Sequence, residues 1–142
     1  MKMGLITSIF ETLTLEQVID FAAETGLECL EVACWPSSGG AKRRYAGTCH
    51  IDAQALTKAR ADEINAYLAK KHVTISALAY YPNTLDPDLE KREAYIRHLR
   101  MLIDAAQLLG VCLVTTFLGR VPQWTVSRNL EEVKSVWPAI LD

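Results

Sequence analysis

The sequence predicts an α/β fold of four strand–helix units with parallel strands. Two observations carry this. Short apolar runs alternate four times with amphipathic stretches of helical period, the pattern of a parallel sheet with helical crossovers. The runs are also near-continuously apolar, as expected of strands covered on both faces or closed into a barrel. A chain of 142 residues, half of them hydrophobic and 23% charged, is one domain of ordinary size with a real core.

The first strand is read in MGLITSIF, residues 3–10. Thr14 and Gln17 then have capping-box spacing, and Leu15, Val18, Ile19 and Ala22 share one face. A helix is therefore expected from Thr14 to a stop at Gly26. LECLEVACW, residues 27–35, is the second strand. A long polar stretch over 36–56 separates it from a helix over 57–72, with Ala61, Ile64 and Leu68 inward. VTISALAYY, residues 73–81, is the third strand. Asp86 and Pro87 should start the next helix, a carboxylate cap followed by proline at the first helical position. Ile96, Leu99, Ile103 and Ala106 form its apolar face, and Gly110 ends it. VCLVTTF, residues 111–117, is the fourth strand, and 118–127 is a loop. A last helix aligns Leu130, Val133 and Trp137, so the domain over 1–142 is expected to end within a fourth helix.

The formal net charge of -2 implies no general attraction to nucleic acid or to an anionic membrane. No apolar run approaches the length of about 18 residues that a bilayer demands. The N-terminal run is broken by Thr7 and Ser8 and has no small-residue cleavage site, so no signal peptide is expected. Of the cysteines, Cys29 and Cys112 lie in apolar runs and read as core residues, while Cys34 and Cys49 read as more exposed. They form no C-x-x-C pair and no disulfide framework, and a reducing cytoplasm is the simplest compartment.

Two architectures fit four such units. One is an open, flavodoxin-like parallel sheet. The other is half of a (β/α)₈ barrel, whose usual length is about 250 residues. The open sheet suits the length better. Its nucleotide-binding members need a glycine-rich turn after the first strand, and here that turn is SIFETLT.

GLITSIF, ECLEVACWP, YAGTCHID, ISALAYYPNTLDPD and LLGVCLVTTFLGR, taken in order and spacing, resemble the N-terminal half of the xylose-isomerase-like TIM-barrel proteins. These are the sugar phosphate isomerases and epimerases, which share a superfamily fold with the endonuclease IV type enzymes. The resemblance covers essentially the whole chain. It implies an enzyme dependent on a divalent metal (Mn, Mg or Zn) that moves a proton next to a carbonyl of a sugar or polyol, phosphorylated or not. It also implies that the metal ligands sit mainly on strands five to eight. This sequence does not reach those strands, so no catalytic or metal-ligating residue is expected in it, and alone it is expected to be inactive. In the endonuclease branch, histidines near early strand ends help to bind zinc. AYYPN and TTFLGR hold none, so a DNA repair role is the lesser reading.

In parallel barrels functional groups gather at the C-terminal ends of strands. The substrate-binding candidates are accordingly Glu31, Trp35, His50, Tyr81, Asn83, Thr116 and Arg120. Glu31 is a carboxylate within an apolar strand, where it would be costly unpaired. It could hold a substrate hydroxyl, orient a neighbour, or pair with a structural Arg or Lys. Tyr80 and Tyr81 should face opposite sides, the inward one able to donate its hydroxyl or merely to pack. Asn83 could line the pocket or cap its own turn. His50 could serve the site or stabilise its loop, while His72 suits a helix dipole and His98 reads as solvent-exposed. Trp35 and Trp124 could wall a sugar pocket or cover the rim. Arg120 is placed for an anion. Lys42, Arg43 and Arg44, among glycines, could bind a phosphate or simply be solvated. A half-barrel has open strand edges and an apolar face, so either a second copy or a missing C-terminal half should complete it. A small non-catalytic binding domain with an open sheet is the alternative of another class.

Overall fold

A computed structural model describes residues 1–37 and 47–141. The order of elements is β1 (Gly4–Ile6), a 3₁₀ turn (Thr7–Ile9), α1 (Leu15–Glu24), β2 (Cys29–Ala33), α2 (Lys58–Lys71), β3 (Thr74–Ala79), α3 (Leu89–Leu109), β4 (Val114–Thr115), α4 (Val126–Val136) and α5 (Pro138–Leu141). The four strands form one parallel sheet in the order β1-β2-β3-β4. That order decides between the two architectures. A flavodoxin-type sheet places its first strand between the second and third. Here each strand is laid beside the one before it, and crossovers of one hand then put every helix on one face. The result is half of a (β/α)₈ barrel.

The core fills the space between the sheet and its helix layer. Leu30 and Val32 of β2 and Leu78 and Tyr80 beyond them pack against Val18, Ile19 and Ala22 of α1, Ile64 and Leu68 of α2, and Leu99 and Leu102 of α3. Side chains alternate across a strand, so Glu31, Ala77 and Thr115 fall on the opposite, bare face. No helix among the described residues is long and apolar enough to cross a membrane.

The first helix has the expected cap. Gln17 N–H donates to Thr14 Oγ1 (3.3 Å), and Thr14 N–H donates back to Gln17 Oε1 (2.8 Å). Gly110 closes α3 at φ 70°, a left-handed position that suits glycine. Other elements shift. Asp88, not Asp86, caps α3, its Oδ1 accepting from Glu90 N (3.1 Å) and Lys91 N (3.2 Å). Asp86 instead turns the chain, accepting from Asp88 N (3.0 Å). Two carboxylates flank Pro87, and the later one wins because its backbone is the extended residue next to the first helical turn. The last helix begins at Thr125, whose hydroxyl takes the Arg128 N–H, and breaks before Pro138, which lacks an N–H to continue it.

The inward stripe of α3 also differs. Leu102, Ala105 and Leu109 are buried with Leu99 and Ala106, and His98 joins them. His98 is buried rather than solvent-exposed: its Nε2 donates to the Cys34 carbonyl (2.8 Å) and its ring meets Tyr80 edge-on at 4.6 Å. Position 98 precedes Leu102, Ala105 and Leu109 by four, seven and eleven residues, so it lies on their buried stripe, which is turned from the face expected at Ile96, Leu99, Ile103 and Ala106. Cys112 is exposed and Cys29 half-buried, so neither is a core residue, whereas Cys34 is fully buried. Cys29 lies on the bare face of β2, and Cys112 precedes β4.

Candidate functional site

The C-terminal ends of the strands build the site from three sides. At the first, Thr7 is wholly buried in the 3₁₀ turn after β1. Its Oγ1 accepts the Ala33 N–H (2.9 Å) and donates to His50 Nδ1 (2.9 Å), while His50 Nε2 donates to the Leu13 carbonyl (3.2 Å). Burial lowers the His50 pKa, so the ring stays neutral, as this pattern of one donor and one acceptor nitrogen demands. Thr48 adds a bond to the Ser8 carbonyl (3.2 Å). The segment 47–52 is thereby tied across the ends of β1 and β2. Thr7→Val keeps the shape but leaves the buried Ala33 N–H without an acceptor. It is expected to cost about 1–3 kcal/mol in urea melts; a change within the fitting error would remove the tie from the account.

The centre of the bare face holds Glu31. Its Oε1 accepts from the Tyr81 hydroxyl and from Thr115 Oγ1 (2.9 Å). No Lys or Arg pairs with it among the described residues, so the structural ion pair is not what occupies this position. Two donors on one oxygen fix the carboxylate plane and leave Oε2 without a protein partner among the described residues. Burial first, and the bond to Glu31 second, raise the Tyr81 pKa, so the phenol is a neutral donor across the physiological range. Phe117, 60% exposed, lies against Tyr81 with ring centres 4.7 Å apart. Tyr80 takes the opposite side, buried against Trp35 (5.0 Å) and His98. Glu31, Tyr81, Thr115 and Phe117 thus make a polar cluster with an aromatic wall.

The remaining candidates are placed elsewhere. Asn83 stitches two loops: Nδ2 donates to the Arg120 carbonyl (2.9 Å), and Oδ1 accepts from Arg120 N (2.8 Å) and Leu85 N (3.3 Å). The Arg120 side chain is exposed at the strand-end rim. Trp35 packs on the helix side through Tyr80, and the Arg128 guanidinium stacks 4.0 Å over Trp124. Thr116 follows Thr115 by one residue and so falls on the other face, its hydroxyl buried without a hydrogen-bond partner among the described residues. Thr115, and not the expected Thr116, is the threonine that reaches Glu31. Its placement comes from the register, in which it pairs with Ala79, two residues before Tyr81 on the same face. Lys42, Arg43 and Arg44 lie outside the described residues.

Residues 19–142 match the xylose isomerase-like TIM-barrel family. The chain belongs to that family. Among its relatives is YfiH of Bacillus subtilis (strain 168), an uncharacterised protein 29% identical over 155 residues, covering 99% of this chain and 44% of its own length. Solved structures of similar fold include the IolI protein with a bound zinc atom (TM-score 0.66, 16% identity, 100% of this chain and 47% of that chain). The probable 3-DHS dehydratase AsbF of petrobactin synthesis in Bacillus anthracis is another (0.63, 21%, 99% and 47%). So is the 3-keto-D-glucoside 4-epimerase YcjR of E. coli (0.54, 16%, 99% and 53%). The chain spans less than half the length of the curated relative and about half of these solved chains.

A divalent metal needs a converging set of donors, four for zinc and more for the harder cations. Among the described residues no three His, Cys, Asp or Glu side chains gather into one. Glu31 alone would supply at most two oxygens, and one of them is already taken by two hydroxyls. The described residues therefore do not by themselves fit a metal.

Proposed function

We propose that this chain forms the substrate-orienting half of a cytoplasmic, metal-dependent isomerase or epimerase of a sugar or polyol. The observation that carries the reading is Glu31: a half-buried carboxylate on the bare face of a family barrel, with one oxygen fixed and the other open. A charge is not kept in an apolar strand for packing, since an apolar side chain there would cost less. Its open oxygen accepts a substrate hydroxyl, Tyr81 donates beside it, and Phe117 covers an apolar ring face. Such a wall fixes which carbon faces the base that moves a proton next to the carbonyl. Metal donors come from outside the residues described, in keeping with the zinc held by the similar IolI fold. Family membership and a similar fold described as an epimerase support the reaction class.

The test is made on this chain completed by a C-terminal half-barrel, screened against aldoses, ketoses, keto-glycosides, inositols and their phosphates with Mn, Mg or Zn. Glu31→Gln should lower kcat/KM by roughly tenfold to a hundredfold, the equivalent of about 1.5–3 kcal/mol for a hydrogen bond to a charged group. Tyr81→Phe should follow in the same direction. Melting temperature should not fall in Glu31→Gln. Full activity with a lowered melting temperature would make Glu31 a structural residue and end this reading.

A further inference from the structure

We infer that Cys34 and Cys49 form a reversible cross-strand disulfide on contact with a small-molecule disulfide such as oxidised glutathione. The two residues face each other in an isolated antiparallel bridge. The backbone bonds around them run from Trp35 N to the Thr48 carbonyl (3.1 Å) and from His50 N to the Ala33 carbonyl (2.9 Å). Both bonds belong to the flanking residues and neither to the cysteines. Cys34 and Cys49 are therefore a non-hydrogen-bonded antiparallel pair, the kind whose Cα atoms stand about 4.5 Å apart with side chains on one side. That spacing lies inside the window of about 4.4–6.8 Å that a disulfide bridges. The bridge is held from both ends, because Thr48 and His50 are anchored to Ser8, Thr7 and Leu13. Cys29 and Cys112 have no comparable partner among the described residues.

The order of steps follows from access. Cys34 is fully buried, while Cys49 is half-buried and reachable. The Cys49 thiolate attacks one sulfur of oxidised glutathione, forming a mixed disulfide and releasing one glutathione thiolate. The Cys34 thiolate then attacks the Cys49 sulfur, and the second glutathione leaves. Two protein thiols are oxidised, one small disulfide is reduced to two thiols, and both protons pass to solvent or to the leaving thiolates. Burial holds both thiols high, Cys49 at about 11, so at neutral pH few thiolates exist and the reaction is slow. The oxidised bridge would lock the segment that carries His50 to the end of β2. In a reducing compartment this is a pair that reports oxidant exposure and is reset by thiols.

The chain is incubated folded with oxidised glutathione at pH 7 and at pH 8.5, quenched with an alkylating agent, digested and mapped by mass spectrometry. A Cys34–Cys49 linked peptide is expected, forming several-fold faster at pH 8.5, reversed by dithiothreitol and absent in Cys49→Ser. A control with Cys29→Ser and Cys112→Ser together should keep the bridge, which shows that it does not arise by reshuffling. Stable glutathione adducts on Cys49 with Cys34 still alkylatable on denaturation would overturn the inference. So would bridges confined to Cys29 or Cys112.

Discussion

Gly119→Ala is expected to destabilise the chain by about 3–5 kcal/mol, and to lower its melting temperature by roughly 10 °C. Gly119 holds φ at 79°, a left-handed conformation that L side chains rarely adopt. A Cβ there would collide with Asn83 Oδ1 and lie 2.8 Å from the backbone nitrogens of Thr84 and Leu85. Two of these three obstacles are main chain, so no rotamer change relieves them. The collision falls on the stitch that joins the loop after β3 to the loop after β4. Asn83 would lose its hold on the Arg120 backbone, and Thr84, fully buried with its hydroxyl on the Leu118 carbonyl (2.7 Å), would move with it. Because Asn83 and Gly119 each lie two residues beyond Tyr81 and Phe117, the variant should also weaken the proposed substrate contacts. Urea melts of Gly119→Ala, Asn83→Ala and the double variant check the account. The single costs should sum to more than the double, since removing Asn83 removes one of the collisions. A Gly119→Ala chain within about 1 kcal/mol of the parent would sink the argument.

The fold was largely legible in the sequence. Strand and helix texture is local, and the capping box at Thr14–Gln17 and the left-handed stop at Gly110 are written in single residues. Strand order is not local. Periodicity admits both an open sheet and a barrel half, and the order β1-β2-β3-β4 separates them through pairings such as Glu31 with Ala77.

The site divides in the same way. Glu31 stood out because a carboxylate inside LECLEVACW demands a reason. Thr115 and Thr116 are adjacent and identical in type, and only the phase of a two-residue strand chooses between them. A one-residue slip exchanges the two faces, so chemistry gives no hint which threonine reaches Glu31. Asn83 was readable as a turn residue, and it does cap Leu85. Its second partner, Arg120, is far away in sequence and visible only once the two loops meet. His98 shares the stripe of Leu102, Ala105 and Leu109, and α3 carries apolar residues around enough of its circumference that Ile96, Leu99, Ile103 and Ala106 point to a neighbouring face instead.

The 142-residue chain alone is expected to show no turnover, at least about a thousandfold below the same chain completed by a C-terminal half-barrel, because each lost electrostatic contact to a transition state costs about 10²–10³. Four strands present Glu31, two hydroxyls and an aromatic wall, and the role proposed for them is to orient the substrate, with the metal donors on the opposite strands. The bare face is also unfinished. Leu113 is 52% exposed and Phe117 60%, an apolar border to a polar centre. In a closed barrel these residues meet layers of side chains from the opposite strands. Among the described residues β1 and β4 leave their outer edges unpaired, ready for the neighbours a barrel would supply. A C-terminal half-barrel of the family, produced separately and mixed with this chain, should restore activity in proportion to a complex seen by light scattering. Circular dichroism must first show that the isolated chain is folded, so that absence of turnover is not absence of structure. Metal-dependent isomerisation by the folded 142-residue chain, as monomer or as dimer, would place the proton-moving groups within these residues and refute the division of labour between the two halves.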